Sequence, residues 1–104
     1  MVNDILKAAR VPYRKARFPR PPSGTYAVYF DDVDSDGLSL NLVQTHDVTI
    51  ELYEPTPDDQ TEAALEAALD LAGVSWHKTD RYWLQEEQRY QVIYEFTHYT
   101  KRRN

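Results

Sequence analysis

Cysteine is absent from this 104-residue chain, which excludes disulfides, thiolate nucleophiles and cysteine-based zinc sites at once. A chain without cysteine suits a reducing compartment, so the sequence points to the cytosol. Glycine occurs only 3 times, leaving little from which to build a phosphate-cradling loop. No apolar run approaches the roughly 20 residues that span a bilayer. The stretch from Met1 to Arg10 lacks the apolar centre of a secretion signal. A membrane is therefore not an expected partner. Lysine and arginine are missing altogether between residues 21 and 77.

That last gap makes the charge distribution more informative than its sum of −5. Residues 1–20 hold six bases (Lys7, Arg10, Arg14, Lys15, Arg17, Arg20) against Asp4 alone. Residues 21–77 hold twelve acids, and residues 78–104 hold six bases and four acids. Such segregation bears on association, not on fold. Two readings stand. Folding brings the opposite charges together within one molecule, or opposite faces differ in sign so that copies meet head to tail. Overall acidity and the lack of a recognised motif argue against direct nucleic-acid binding.

The length bounds a single domain, residues 1–104, with a modest core. Ile5, Leu6 and Ala9 predict a short helix capped by Asn3, closed before Pro12. A short strand or arm from Tyr13 to Phe18 leads into the stiff Pro19-Arg20-Pro21-Pro22-Ser23-Gly24 connection. Thr25 to Asp31 reads as a strand, Asp31 to Gly37 as an acidic hairpin loop, and Leu38 to Tyr53 as one long strand. Thr56-Pro57-Asp58-Asp59 predicts a helix start capped by Thr56. Leu65, Ala68, Leu69 and Ala72 give that helix one apolar stripe, and Gly73 stops it. A strand from Val74 to Thr79, a turn from Asp80 to Glu87 and a strand from Gln88 to Tyr99 follow, with residues 99–104 as a frayed basic tail. The order α-β-β-β-α-β-β predicts an α+β fold, a mostly antiparallel sheet of about five strands with two helices.

Candidate chemistry is sparse. Asp32-Val33-Asp34-Ser35-Asp36-Gly37 has the spacing of half an EF-hand loop, but position twelve is Val43 rather than a bidentate carboxylate, and strands flank it. His46, His77 and His98 form no metal-binding spacing. No serine sits in a nucleophile elbow. Neither catalytic residues, nor metal ligands, nor a cofactor are expected, and the chain does not read as an enzyme. The surplus over a small core is aromatic and charged instead. Tyr29, Tyr53 and Tyr99, on the parity taken as outward, are candidate interface residues. Asp32, Asp34 and Asp36 are candidates too, with Arg14, Arg17 and Arg20 as their partners on a neighbouring copy.

Several segments carry a likeness. They are Ala16-Arg17-Phe18-Pro19, Tyr26-Ala27-Val28-Tyr29, the acidic stretch after it, and His46-Asp47-Val48-Thr49-Ile50-Glu51-Leu52-Tyr53. Glu62-Ala63-Ala64-Leu65-Glu66, Trp76-His77-Lys78, Tyr82, Glu86-Glu87 and Tyr90-Gln91-Val92-Ile93-Tyr94-Glu95 complete the set. Together they resemble the small tail-completion proteins of long-tailed phages and prophages, the tail-terminator or tail-to-head joining proteins. The resemblance spans nearly the whole chain and rests on element order, length and aromatic positions. It implies a structural protein forming a homo-oligomeric ring, usually a hexamer, at the head-proximal end of the tail tube. Its implied partners are itself, the tail tube protein and a head-completion protein, and its implied places are the bacterial host cytoplasm during assembly and the virion tail. A monomeric protein-binding adaptor is the alternative.

Overall fold

The computed structural model describes residues 1–35 and 43–101. Helix α1 spans Val2–Ala9 and buries Val2, Ile5, Leu6 and Ala9 on one stripe. Burial of Val2 draws the helix start ahead of Asn3, so Met1 takes the cap position without a side-chain bond, and the expected Asn3 cap does not form. Arg10 ends the helix in the left-handed region (φ 58°), its amide donating to the Lys7 carbonyl.

Strand β1, Tyr13–Lys15, stops short of the expected Phe18 because Ala16 turns at φ 67°. Strand β2, Tyr26–Ser35, and strand β3, Val43–Glu54, form a long antiparallel pair from Tyr26↔Tyr53 to Ser35↔Gln44. Residues Asp31 to Ser35 are thus strand and not loop. Beyond the core both faces of the sheet meet water, so aspartates are tolerated there while the backbone ladder continues. Residues 36–42, which include Asp36 and the start of the expected second strand, lie outside the described residues.

Helix α2, Asp59–Leu71, begins two residues later than expected. Asp58, not Thr56, caps it, accepting from the Thr61 amide at 3.0 Å and from the Thr61 hydroxyl at 2.6 Å. Thr25 at the head of β2 donates a third bond to Asp58 at 2.7 Å, so the cap also ties helix to sheet. Gly73 follows the helix at φ 76°, where glycine alone is unstrained.

Strands β4 (Trp76–Lys78), β5 (Tyr82–Leu84) and β6 (Arg89–Lys101) complete the chain. Strand β5 falls inside the expected turn. Its apolar Tyr82-Trp83-Leu84 pairs with β6, and the turn shrinks to Gln85–Gln88, closed by Gln88 at φ 51°. Of the expected frayed tail, Tyr99 to Lys101 instead pair with Thr45 to Val43 of β3, and residues 102–104 lie outside the described residues. The sheet order is β1-β2-β3-β6-β4, with β5 also on β6, and every pairing except β1–β2 is antiparallel. The observed order α-β-β-β-α-β-β-β is an α+β fold with one strand more than expected. No helix of the described residues is long and apolar enough to cross a membrane.

Both helices cover one face of the sheet. Ala27, Tyr29, Val48, Ile50, Leu52, Val92, Tyr94 and Phe96 face Leu6, Leu65 and Leu69 there. The opposite face is dressed by the proline-rich arm before β2. Phe18 sits edge-on to Tyr26 at 5.3 Å, and Tyr53 stacks on Tyr26 at 5.0 Å. The Arg89 guanidinium lies 5.3 Å from the Tyr26 ring and donates to the carbonyls of Pro22 and Ser23. The molecule measures 47 × 27 × 22 Å. Its length comes from a three-stranded ribbon (the end of β2, the start of β3, the end of β6) that runs past the helices.

Candidate functional site

The ribbon leaves two strand edges open among the described residues. Strand β1 covers β2 only at Ala27 to Tyr29, so the edge from Phe30 to Ser35 has no strand partner. Strands β4 and β5 cover β6 only as far as Phe96, so Thr97 to Lys101 is open as well. The two edges differ in charge: Asp31, Asp32 and Asp34 lie along one, and Lys101 ends the other. Open edges of this kind accept another strand, and charge on them selects which.

The expected interface residues divide. Asp32 and Asp34 are exposed on the ribbon, on the face away from the helices. Arg14, Arg17 and Arg20 are exposed towards the other end of β2, and Arg14 lies over the Phe18 ring at 4.9 Å. Val28, the register partner of Arg14, is four positions from Asp32 and six from Asp34, so these acids stand about 13–20 Å along the sheet from Arg14 at about 3.3 Å per residue. Among the described residues none of these five groups forms an ion pair. Tyr99 is 67% exposed. Tyr29 corrects the expectation: it points to the helices, 9% exposed, with its ring 6.2 Å from Tyr13. Tyr53 is half-buried under Tyr26, donating to Glu51 and accepting from Gln91. Asp36 lies outside the described residues.

Charge beside α2 is paired inside the molecule instead. Arg81 reaches Glu62 at 2.6 Å, Asp59 at 3.2 Å and Glu54 at 3.3 Å. Lys78 reaches Glu66 at 2.7 Å and Glu62 at 2.9 Å. Glu54 at the end of β3 is completely buried, and Glu62 of α2 nearly so. Burial, then the hydrogen bond and negative charge of Glu62, push the Glu54 carboxyl up to about 8. Burial opposes ionisation of Glu62 too, but bonds from Glu54, Lys78 and Arg81 hold it down to about 2. The two carboxyls therefore share one proton, which explains why Glu54 Oε2 has no other partner. Tyr94 donates to Glu66 at 2.7 Å; burial and that carboxylate raise its pKa strongly. The shallow cavity beside this network holds about 240 Å³ and is lined by Glu62, Lys78, Thr79, Asp80, Arg81 and Val92. Arg81 and Lys78 bridge the carboxylates of α2 to Glu54 and to the strand side, so the network welds α2 to the sheet.

One constellation escaped the sequence reading. Asp31, His46 and His98, from β2, β3 and β6, meet on the helix-side face of the ribbon. Their spacing in sequence carries no signal. Only the register His46↔His98, obtained by counting along β3 and β6, reveals it. His77 stands apart on β4, exposed. No protein-family model matches this chain, and no curated protein matches it.

Proposed function

We propose that the protein is a structural, self-associating component of a long-tailed phage or prophage, building a ring that caps the tail tube and meets the head connector. The supporting observation is the uncompensated charge at the two ends of one face. Lys78 and Arg81 are neutralised by acids of the same molecule, whereas Arg14 stands about 13–20 Å along the sheet from Asp32 and Asp34, and neither it nor the exposed Arg17 and Arg20 forms an ion pair among the described residues. A head-to-tail contact lets the arm of one copy reach the ribbon of the next, and repeated rotation closes a ring. The open ribbon edges supply backbone hydrogen bonds to that contact. The resemblance to tail-completion proteins supports the same reading and supplies the ring, the tube and the connector.

Sedimentation of the full chain in low salt, alone and with a tail tube protein, tests this. Assembly is expected, weakening as salt rises past a Debye length of about 10 Å at 0.1 M. Asp32→Lys with Asp34→Lys should abolish it. One copy per particle at every concentration and salt, with the tube protein present as well as absent, would leave the monomeric adaptor as the reading.

A further inference from the structure

We infer that Asp31, His46 and His98 form a binding site for a divalent transition ion of the zinc class, held by one carboxylate and two imidazoles from three adjacent strands. One ligand atom from each lies within 4.8 Å of the other two. Around a tetrahedral ion with bonds of about 2.0–2.2 Å, ligand atoms stand about 3.4 Å apart. Asp31 Oδ1 and His46 Nδ1 are hydrogen-bonded at 3.0 Å, slightly tighter than that spacing, so an ion would replace this bond with a small opening of the pair.

Three further features fit an ion. His98 Nδ1 is buried from water and has no hydrogen-bond partner, a cost that a metal bond removes. His46 Nε2 lies 2.8 Å from the Thr100 hydroxyl. With Nε2–H donating there, the Nδ1 lone pair faces the ion, the outer-shell support usual for a ligating histidine. The His46 and His98 rings are directly opposite on β3 and β6 and stacked at 4.4 Å and 13°, so both can turn an edge to one point. Asp31 and His46 are only 22% and 14% exposed, which strengthens attraction to a cation.

Donor chemistry selects the ion. Two imidazoles and one carboxylate suit Zn²⁺, Co²⁺ or Ni²⁺ and disfavour Ca²⁺ and Mg²⁺, which require oxygen shells. Burial and then His46 disfavour positive charge on His98, Asp31 favours it, and the Met1 ammonium adds a smaller disfavouring effect, which keeps this imidazole in its neutral, ligating form. Three protein ligands leave a fourth position for water or a neighbouring group. The ion would join β2, β3 and β6 at the root of the ribbon. Nothing here requires self-assembly, since a monomer presents all three ligands.

Calorimetric titration of the full chain with Zn²⁺ at pH 7.5 tests it. One ion per chain is expected, with affinity falling as pH is lowered because protons compete with the ion for its ligands. His98→Ala, His46→Ala and Asp31→Asn should each weaken binding about tenfold or more, while His77→Ala leaves it unchanged. As a readout that does not depend on the variants' folding, Zn²⁺ should shift the ring signals of His46 and His98 in the unaltered chain and spare those of His77. No binding at millimolar Zn²⁺ overturns the site. So does binding that survives the cluster substitutions, or unshifted His46 and His98 signals.

Discussion

Glu54 shows how a residue unremarkable in sequence becomes decisive in place. Its carboxyl is fully buried, and burial beside the Glu62 carboxylate favours its protonated form. Because its folded pKa, about 8, exceeds its ordinary 4.5, its contribution to stability is complete below about pH 4.5 and is lost as pH rises to 8. Glu62 behaves oppositely: its contribution is complete above 4.5 and disappears as pH falls towards 2. Between about pH 5 and 8 Glu54 dominates, so denaturation midpoints should fall over that interval. The loss should be a few kcal/mol, since each pKa unit corresponds to about 1.4 kcal/mol. Glu54→Gln still donates to Glu62 but cannot ionise, so urea titrations of this variant should show a much flatter pH profile.

At the scale of elements, the Asp58 cap carries more than a helix start. Asp58→Ala removes bonds to the Thr61 amide, the Thr61 hydroxyl and the Thr25 hydroxyl. A cap is worth about 0.5–2 kcal/mol, and the link to β2 places this one at the upper end, about 2 kcal/mol by chemical denaturation. Asp58→Asn should recover most of it. The elements legible in sequence were those with one dominant periodicity. The stripe Leu65, Ala68, Leu69 and the alternation Val92, Tyr94, Phe96 each pointed one way, and both lie in the core. Strand β2 was ambiguous because both its faces are apolar and buried: the helices cover Ala27 and Tyr29, and on the other face Tyr26 and Val28 are buried too, with Phe18 of the arm packed on Tyr26. Parity alone could not say which face was outward, so Tyr29 was misplaced. Strand β5 hid among polar neighbours. The Asp31, His46 and His98 cluster depends on register across three strands, which no local pattern encodes.

For the molecule as a whole, the separated charges predict a mixing experiment. In one variant the ribbon acids Asp32 and Asp34 become lysine, and in another Arg14, Arg17 and Arg20 become glutamate. Each alone brings like charges together and should sediment as single copies at low salt. Mixed in equal amounts they should reassemble, because the reversed arm of one meets the reversed ribbon of the other. A mixture that stays monomeric while the unaltered chain assembles would show that these charges do not define the contact.

Strand β3 lies between β2 and β6, and its pairing with β6 runs from Val43↔Lys101 to Glu54↔Tyr90. During synthesis its far flank has no companion until β6 has left the ribosome. A nascent chain stopped before Arg89 would expose the backbone beside Ile50 and Leu52, the kind of half-finished surface that chaperones hold and proteases clear. The arm shares that dependence, since Arg89 anchors Pro22 and Ser23. The connection before β2 thus settles only after the start of β6 has been made.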